Sequence, residues 1–355
     1  MNAAEPFCNQ PWTTIYVQWD GKVTRPCIRG PQNLGSLETV DDIADFWNGS
    51  SFRAIRDQIR DAAGLAPPCS ACHVERSRTI DHIGPFSDNI SGFSPAKSHN
   101  YELARADFRG GQRFVASKPT VVIMDLSAKC HIRCLKCFVY NSDMQYGLGH
   151  MKMETFQKIV PLFETCLLVV GHENGESMLN KNFIEMVTVI KENGCRFTFN
   201  TTGQLMTPDK SDALVELGVE QIMFSIDSFS AETYEKLHKG ASFQKLQTNL
   251  NYLASKKRAS NSMLPLQGWY FVASRSNIHE LPDIVRKADE LGFSSIFVSH
   301  LNAPTSEQWG TYSDFYAAES LLDCVESKDL LRSKVDEARL IASEANIAFS
   351  TGYFG

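Results

Sequence analysis

The chain has 355 residues, 43% of them hydrophobic and 21% charged, with a formal net charge of -6. That balance is ordinary for a globular protein, allows roughly two domains, and argues against nucleic-acid binding through a broad basic face. The only dense basic run, Lys256-Lys257-Arg258, reads as a solvated helix end. The opening MNAAEPFCNQPW has no charged lead before an apolar run. Apolar stretches such as 121–124 and 166–170 are too short to cross a bilayer, so a cytoplasmic location without a membrane partner is expected. Ten cysteines in a reducing compartment point to metal or redox chemistry rather than to disulfides.

In chain order, residues 15–19 and 22–27 read as two strands joined at Asp20-Gly21, a strong hairpin signal. Apolar Ile43, Phe46, Trp47, Phe52, Ile55 and Ile59 recur at helical spacing over 40–63, with a break at Asn48-Gly49. Residues 74–118, rich in Ser, Gly and Asn, read as a linker or docking segment on the surface. From about 119 onward strands and helices alternate. Strands are expected at 120–126, 166–171, 196–200, 221–226, 267–273 and 295–300, and helices at 182–193, 210–217, 231–257, 278–291 and 313–344. Val/Ile/Phe-rich strands separated by helices argue for a parallel sheet, open or curled into a barrel, whose chemistry collects at the strands' C-terminal ends. Six such units fall short of the eight that a closed barrel needs.

The first of these strands runs directly into Cys130-His-Ile-Arg-Cys134-Leu-Lys-Cys137. With ten cysteines in the chain, a given Cys starts this spacing by chance less than about once in a thousand. Thiolates are soft ligands suited to iron–sulfur clusters, and three on one loop can hold three corners of a cubane, leaving one iron open to a chelating molecule. The competing reading is zinc, although structural zinc usually recruits ligands in paired knuckles.

Cys-x-x-x-Cys-x-x-Cys after the first strand of a partial barrel resembles the signature of the radical S-adenosylmethionine (SAM) superfamily, and the likeness runs from about 119 to 301. Family members usually carry an aromatic residue just before the last cysteine, where this chain has Lys136. Further landmarks follow in the family's order. Gly175-Glu176 looks like the turn that holds the methionine amino group, although Ser177 stands where proline is usual. Asn200-Thr-Thr-Gly203 resembles the third-strand turn, and Ser225-Ile-Asp227 the fourth-strand Ser-hydrophobic-Asp. Asn277, Val298 and His300 fall where relatives bind carboxylate and adenine. The resemblance thus implies cofactor contacts at Gly175, Glu176, Asn200, Ser225, Asp227, Asn277, Val298 and His300. Taken singly, each would suit a turn or a cap; Asp227 and Ser230 are good N-cap residues.

Cys8, Cys27, Cys69 and Cys72 form a second set, spread through a segment that looks like a SPASM-type auxiliary-cluster domain. Such domains usually follow the radical domain, whereas this one precedes it. Four cysteines suffice for a fully ligated 4Fe–4S cluster, although a zinc ribbon has the same ligand set. Cys166, Cys195 and Cys324 read as buried and inert.

The fold class implied is α/β: a partial (β/α)6 radical SAM barrel over 119–355, a linker over 74–118, and a small cysteine-rich α+β auxiliary-cluster domain over 1–73. The cofactors implied are two 4Fe–4S clusters and S-adenosylmethionine, with an external electron donor such as flavodoxin or ferredoxin. The expected activity is that of a radical SAM oxidoreductase or epimerase: SAM is cleaved reductively and hydrogen is taken from a sugar-like or aminocyclitol small molecule. His172, Glu173 and Tyr140 are candidates to hold that substrate, and Cys324 is the candidate hydrogen donor for an epimerisation. Two alternatives stand beside this reading: a maturase for a ribosomally made peptide, and a non-enzymatic metal-cluster or zinc scaffold.

Overall fold

The computed structural model describes residues 8–25, 33–39, 43–61, 90–141, 147–171, 174–301, 303 and 310–352. Twelve strands are described, in chain order β1 (Thr14–Val17), β2 (Lys22–Thr24), β3 (Asn33–Ser36), β4 (Val121–Met124), β5 (Arg133–Cys134), β6 (Leu168–Val170), β7 (Arg196–Thr201), β8 (Gln221–Ser225), β9 (His238–Lys239), β10 (Leu266–Ala273), β11 (Ser295–His300) and β12 (Ala348–Thr351). The chain divides into two compact units, residues 1–128 with 149–198 and residues 129–148 with 199–355.

In the first unit, β1 pairs in parallel with β4, matching Thr14 to Val121 and Val17 to Met124. The hairpin expected at Asp20-Gly21 forms, with β1 and β2 antiparallel and β3 added antiparallel to β2. Gly21 takes a φ of +83°, a conformation glycine adopts without steric cost. β4 and β6 continue the parallel pairing, and β6 pairs with β7 from Arg196 to Thr198. The N-terminal segment is therefore hydrogen-bonded into the sheet of the cysteine-loop strand rather than tethered to it by a linker. The expected 40–63 helix is two helices, Ile43–Trp47 and Ser50–Asp61, broken at Asn48-Gly49. Within 74–118, where a linker without elements was expected, a fifteen-residue helix spans Pro95–Arg109. Ser94 caps it by accepting from the Lys97 amide at 3.3 Å, Pro95 opens it, and Tyr101, Ala104 and Phe108 are buried. Its apolar residues are interleaved with so many polar ones that the periodicity was masked.

In the second unit, β8, β10, β11 and β12 form a parallel array, with β12 as a further strand beyond the six expected. The expected 231–257 helix is two helices, Ala231–Leu237 and Phe243–Ala259. The break carries β9, Gly240 at φ +90°, and Ser242 capping the second helix through the Lys245 amide at 3.3 Å. The expected 313–344 helix likewise divides, into Gly310–Glu319 and Val325–Glu344. Along β8, β10 and β11 one face is fully buried (Phe224, Trp269, Phe271, Ile296, Val298) and the other half-buried (Met223, Ser225, Tyr270, Val272, Phe297, Ser299). Strand period 2 assigns the first set to the core and leaves the second lining a more open face. No described helix is long and apolar enough to cross a membrane.

Arg56 is among the charged side chains buried in the first unit. Arg56 is 1% exposed, with Nε donating to the Pro11 carbonyl at 2.9 Å and the guanidinium 4.6 Å above the Trp47 ring. Burial, only partly offset by Asp107, brings its pKa down to about 10, so it stays charged near neutrality. Arg56→Ala leaves the Pro11 carbonyl unmet and the Trp47 face uncovered. It is expected to lower unfolding free energy by about 2–4 kcal/mol in a denaturant titration. A loss below about 0.5 kcal/mol, as at a plain surface site, would show that these contacts carry no weight.

Candidate functional site

The loop after β4 carries the three thiols, and its backbone is held by its own residues. The Cys130 amide donates to the Tyr140 hydroxyl at 2.6 Å, and the Cys137 amide to the Cys134 carbonyl at 3.1 Å. The Asn141 amide donates to the carbonyls of Cys134 and Cys137, both at 2.8 Å. Arg133 donates to the Cys130 carbonyl at 2.8 Å and stacks over the Tyr140 ring at 4.1 Å. Tyr140, expected as a substrate contact, therefore braces the cysteine loop. All three cysteines are free and half-buried. Burial pushes the Cys134 and Cys137 thiols above their ordinary pKa, so as thiolates they need a cation beside them, which iron supplies. Among the described residues, no three His, Cys, Asp or Glu side chains converge on one ion-sized point. Three soft thiolates on one loop are the donor set that an iron–sulfur cluster takes.

Behind Cys134 lies a buried charge network. β5 and β9 pair as a two-residue antiparallel ribbon, Arg133 opposite Lys239 and Cys134 opposite His238. His238 is fully buried, its Nδ1 3.3 Å from the Cys134 sulfur and its Nε2 2.8 Å from Oδ2 of Asp227. Lys136, the residue standing where the family usually has an aromatic, pairs with that same oxygen. The other oxygen of Asp227 accepts from the Val272 amide at 2.9 Å. Burial opposes the charge on Asp227, which is 1% exposed, but the Lys136 ammonium and the His238 ring together outweigh it. They hold the carboxyl well below the usual carboxylate range. For His238 burial is the larger influence and lowers its pKa against the pull of Asp227, so the ring is neutral near pH 7. Its Nε2–H is then spent on the carboxylate, which leaves Nδ1 as acceptor for the Cys134 thiol proton. The same nitrogen can take that proton when the sulfur binds metal as thiolate.

The remaining expected residues are placed as follows. In the first unit, Gly175 has φ +75°, which glycine favours, and Glu176 is 1% exposed. This turn is fixed by contacts the sequence did not announce. The Asn174 amide donates to Oδ1 of Asp125 at 3.1 Å, and the Tyr16 hydroxyl donates to Oδ2 at 2.7 Å, joining β1, the end of β4 and the Gly-Glu turn. Asn180 donates to the carbonyls of Leu126 and Met151 at 2.8 and 2.9 Å.

In the second unit, Asn200 and His300 are half-buried at strand ends, and Ser225 shares the half-buried face with Tyr270 and Phe297. Those two rings stack at 5.3 Å. Three expectations for cofactor contact meet other uses. Asp227 is engaged by Lys136, His238 and Val272. Asn277 is fully buried, donating to the carbonyls of Asp227 and Val272 at 2.9 Å and accepting from the Ser274 amide at 2.7 Å. Val298 turns its side chain into the core.

Cys8 is half-buried, while Cys27, Cys69, Cys72, His172 and Glu173 lie outside the described residues. Cys166 and Cys195 are buried as expected. Cys324 is exposed, at the N-cap of its helix beside Ser327 at 3.0 Å, which corrects the expectation of a buried cysteine.

The radical SAM superfamily model matches residues 124–269, and a model of an iron–sulfur cluster-binding domain, SPASM, matches residues 8–73. Residues 124–269 belong to the radical SAM superfamily. As a radical SAM protein the chain has the cofactors implied, iron–sulfur clusters and S-adenosylmethionine, and its fold class is α/β with a mostly parallel sheet consistent with a partial barrel. It is similar to a tungsten-containing aldehyde ferredoxin oxidoreductase cofactor-modifying protein of Pyrococcus furiosus, 26% identical over 194 residues and covering 52% of each chain. It is also similar to a PqqA peptide cyclase of Methylorubrum extorquens, 27% identical over 191 residues, 52% of this chain and 47% of that one. The chain thus spans about half the length of the curated relatives it matches. In fold it resembles SuiB of Streptococcus suis bound to S-adenosylmethionine, at a TM-score of 0.53, 13% identity, and coverage of 75% and 58%.

The buried network predicts a coupled double mutant. Lys136→Phe, which restores the family's usual aromatic, strands most of the Asp227 charge. It is expected to cost about 3 kcal/mol in unfolding of the metal-free protein. Lys136→Phe combined with Asp227→Asn is expected to recover more than half of that loss. Additive losses in the cycle would show that the two side chains are not energetically coupled.

Proposed function

We propose that this chain is a radical SAM enzyme that modifies a ribosomally made peptide. The similarity to PqqA peptide cyclases carries the reading, together with an iron–sulfur cluster-binding segment in the same chain. SuiB, which shares the fold, has also been seen bound to a precursor peptide, SuiA. The sugar-like substrate and the epimerase or dehydrogenase class expected from the sequence have no counterpart among the relatives named above. The Cys324 hydrogen-donor role belongs to that epimerisation and is set aside with it.

When bound, the reduced cluster and S-adenosylmethionine would together supply the radical that takes hydrogen from an unactivated C–H bond. The protein's own residues have the ordinary tasks of holding, orienting and excluding water. Cys130, Cys134 and Cys137 would ligate three irons. Gly175 gives close backbone approach and Glu176 a carboxylate for an ammonium partner. Asn200, Ser225 and His300 sit at or near strand ends, where polar contacts to the cofactor are needed. Tyr270 and Phe297 would give the half-buried face an apolar wall suited to a peptide side chain. Residues 1–73, with Cys8, Cys27, Cys69 and Cys72, would hold the auxiliary cluster, with 74–118 joining it to the radical domain over 119–355.

Anaerobic reconstitution is expected to load about seven to eight irons per chain, falling by about four in Cys134→Ala. Strong reductant should then release methionine from S-adenosylmethionine. A precursor peptide encoded beside the gene should change mass in a way that requires Cys134. Zinc in the 130–137 loop, or no cleavage of the sulfonium, would end the radical SAM reading; a modified sugar with an unchanged peptide would end the peptide reading alone.

A further inference from the structure

The β5–β9 ribbon has two faces, an inner one turned to Asp227 and an outer one turned to solvent. Neighbouring residues of a strand point to opposite faces, so Cys134 and His238 share one face while Arg133 and Lys239 share the other, directly opposite each other in register. Both cations are exposed. Like charges directly opposite across a strand pair destabilise it, and among the described residues neither cation pairs with a carboxylate. From Lys129 to Asn141 the chain has three Lys or Arg side chains, Lys129, Arg133 and Lys136, and a histidine but no acidic residue. Exposed Lys245 stands on the helix after Gly240, where a Cβ in place of the glycine hydrogen would come to 3.9 Å from the His131 carbonyl. The charges of Lys245, Arg133 and Lys210 all reach the His131 ring. The acids of the adjoining helix Ala231–Leu237 are Glu232 and Glu235, and Glu235 is turned onto the Phe243 amide at 2.9 Å. In a chain whose net charge is -6, a cationic island therefore lies one backbone thickness from a cluster ligand.

We propose that the outer face of this ribbon, centred on Arg133, Lys239 and Lys245, is the docking surface for an acidic one-electron donor protein. The inference rests on the cluster assignment of the proposed function and adds the place of electron entry. Charge complementarity favours such a partner, because opposite surface fields speed encounter and orient it. The ribbon then sets the donor against the shortest covalent path to the cluster, through Arg133 into Cys134. The arrangement also leaves the face carrying Ser225, Tyr270 and Phe297 free for substrate while the electron is delivered.

The test is anaerobic stopped-flow reduction of the reconstituted holoprotein, followed by bleaching of the cluster absorbance, with a reduced flavodoxin of acidic net charge as donor. The wild-type rate is expected to fall steeply with added salt. Lys239→Glu with Lys245→Glu, which leaves the Arg133 contacts to Cys130 and Tyr140 intact, is expected to slow this reduction by about tenfold or more. Arg133→Glu should slow it further. Iron content, and reduction by titanium(III) citrate, should be unchanged in the lysine pair. A flavodoxin rate that ignores both salt and charge reversal overturns the proposal, as does an equal loss with the titanium reductant. Protein that takes up no iron, or that no reductant bleaches, overturns the cluster assignment itself and the docking surface with it.

Discussion

One buried carboxylate orders the second unit. Asp227 sits at the end of β8 with almost no solvent, and each of its oxygens is committed: one to the β10 backbone at Val272, the other to Lys136 from the cysteine loop and His238 from the ribbon. Asn277 adds a second tie through the Asp227 carbonyl. An ionised carboxylate in such a place is tolerated only when its partners are held in position, since removing one leaves an uncompensated charge that costs several kcal/mol. The loop that offers three thiols is thus fastened to strand ends by an interaction that cannot loosen cheaply. His238 completes the chain of contacts, with Asp227 fixing one ring nitrogen and thereby aiming the other at Cys134.

Much of this was legible in the sequence, and the failures have identifiable causes. The six expected strands from 120 to 300 form within a few residues of their expected ends, because Val/Ile/Phe runs between polar helices are a strong local signal. The Cys130–Cys137 loop was recognisable because its chemistry resides in consecutive residues. The Asp227 network was not, because its members lie about ninety residues from the loop and meet only through tertiary pairing. Each has a sufficient local explanation: Asp227 as a helix cap, Lys136 as an odd residue in the motif, His238 as one position in a long helix. The break at His238 was nonetheless signalled by Gly240 and Ser242, whose turn and cap chemistry outweighs apolar periodicity there. Asn277 was read as a ligand contact from its position, whereas full burial commits its amide to backbone.

The N-terminal segment illustrates a different limit. Its cysteines suggest an auxiliary domain, and sequence alone gives no reason to join that domain to the sheet of the cysteine-loop strand. The structure does so by pairing β1 with β4 in parallel. Tyr16 then reaches Asp125, which in turn holds Asn174 beside the Gly175-Glu176 turn. Parallel pairing between segments a hundred residues apart leaves no mark in local composition, since Thr14–Val17 reads equally well as one arm of a simple hairpin.

A sequence specifies a fold when its local choices agree, and disagreement tends to collect where function demands it. Many ion pairs among the described residues follow the undemanding pattern: exposed i,i+3 partners on helices, such as Arg286 with Asp283 or Lys334 with Glu337, each worth a few tenths of a kcal/mol. Two arrangements at the ribbon depart from it, the buried Asp227 trio and the facing cations Arg133 and Lys239. They lie on the two sides of one ribbon, His238 on the inner face beside Cys134 and Arg133 with Lys239 on the outer. An apolar core behind the loop would fold more easily, and an alternating-charge ribbon would pair more firmly. Both costs fall on the strand pair bearing Cys134, where the proposed cluster chemistry would be done.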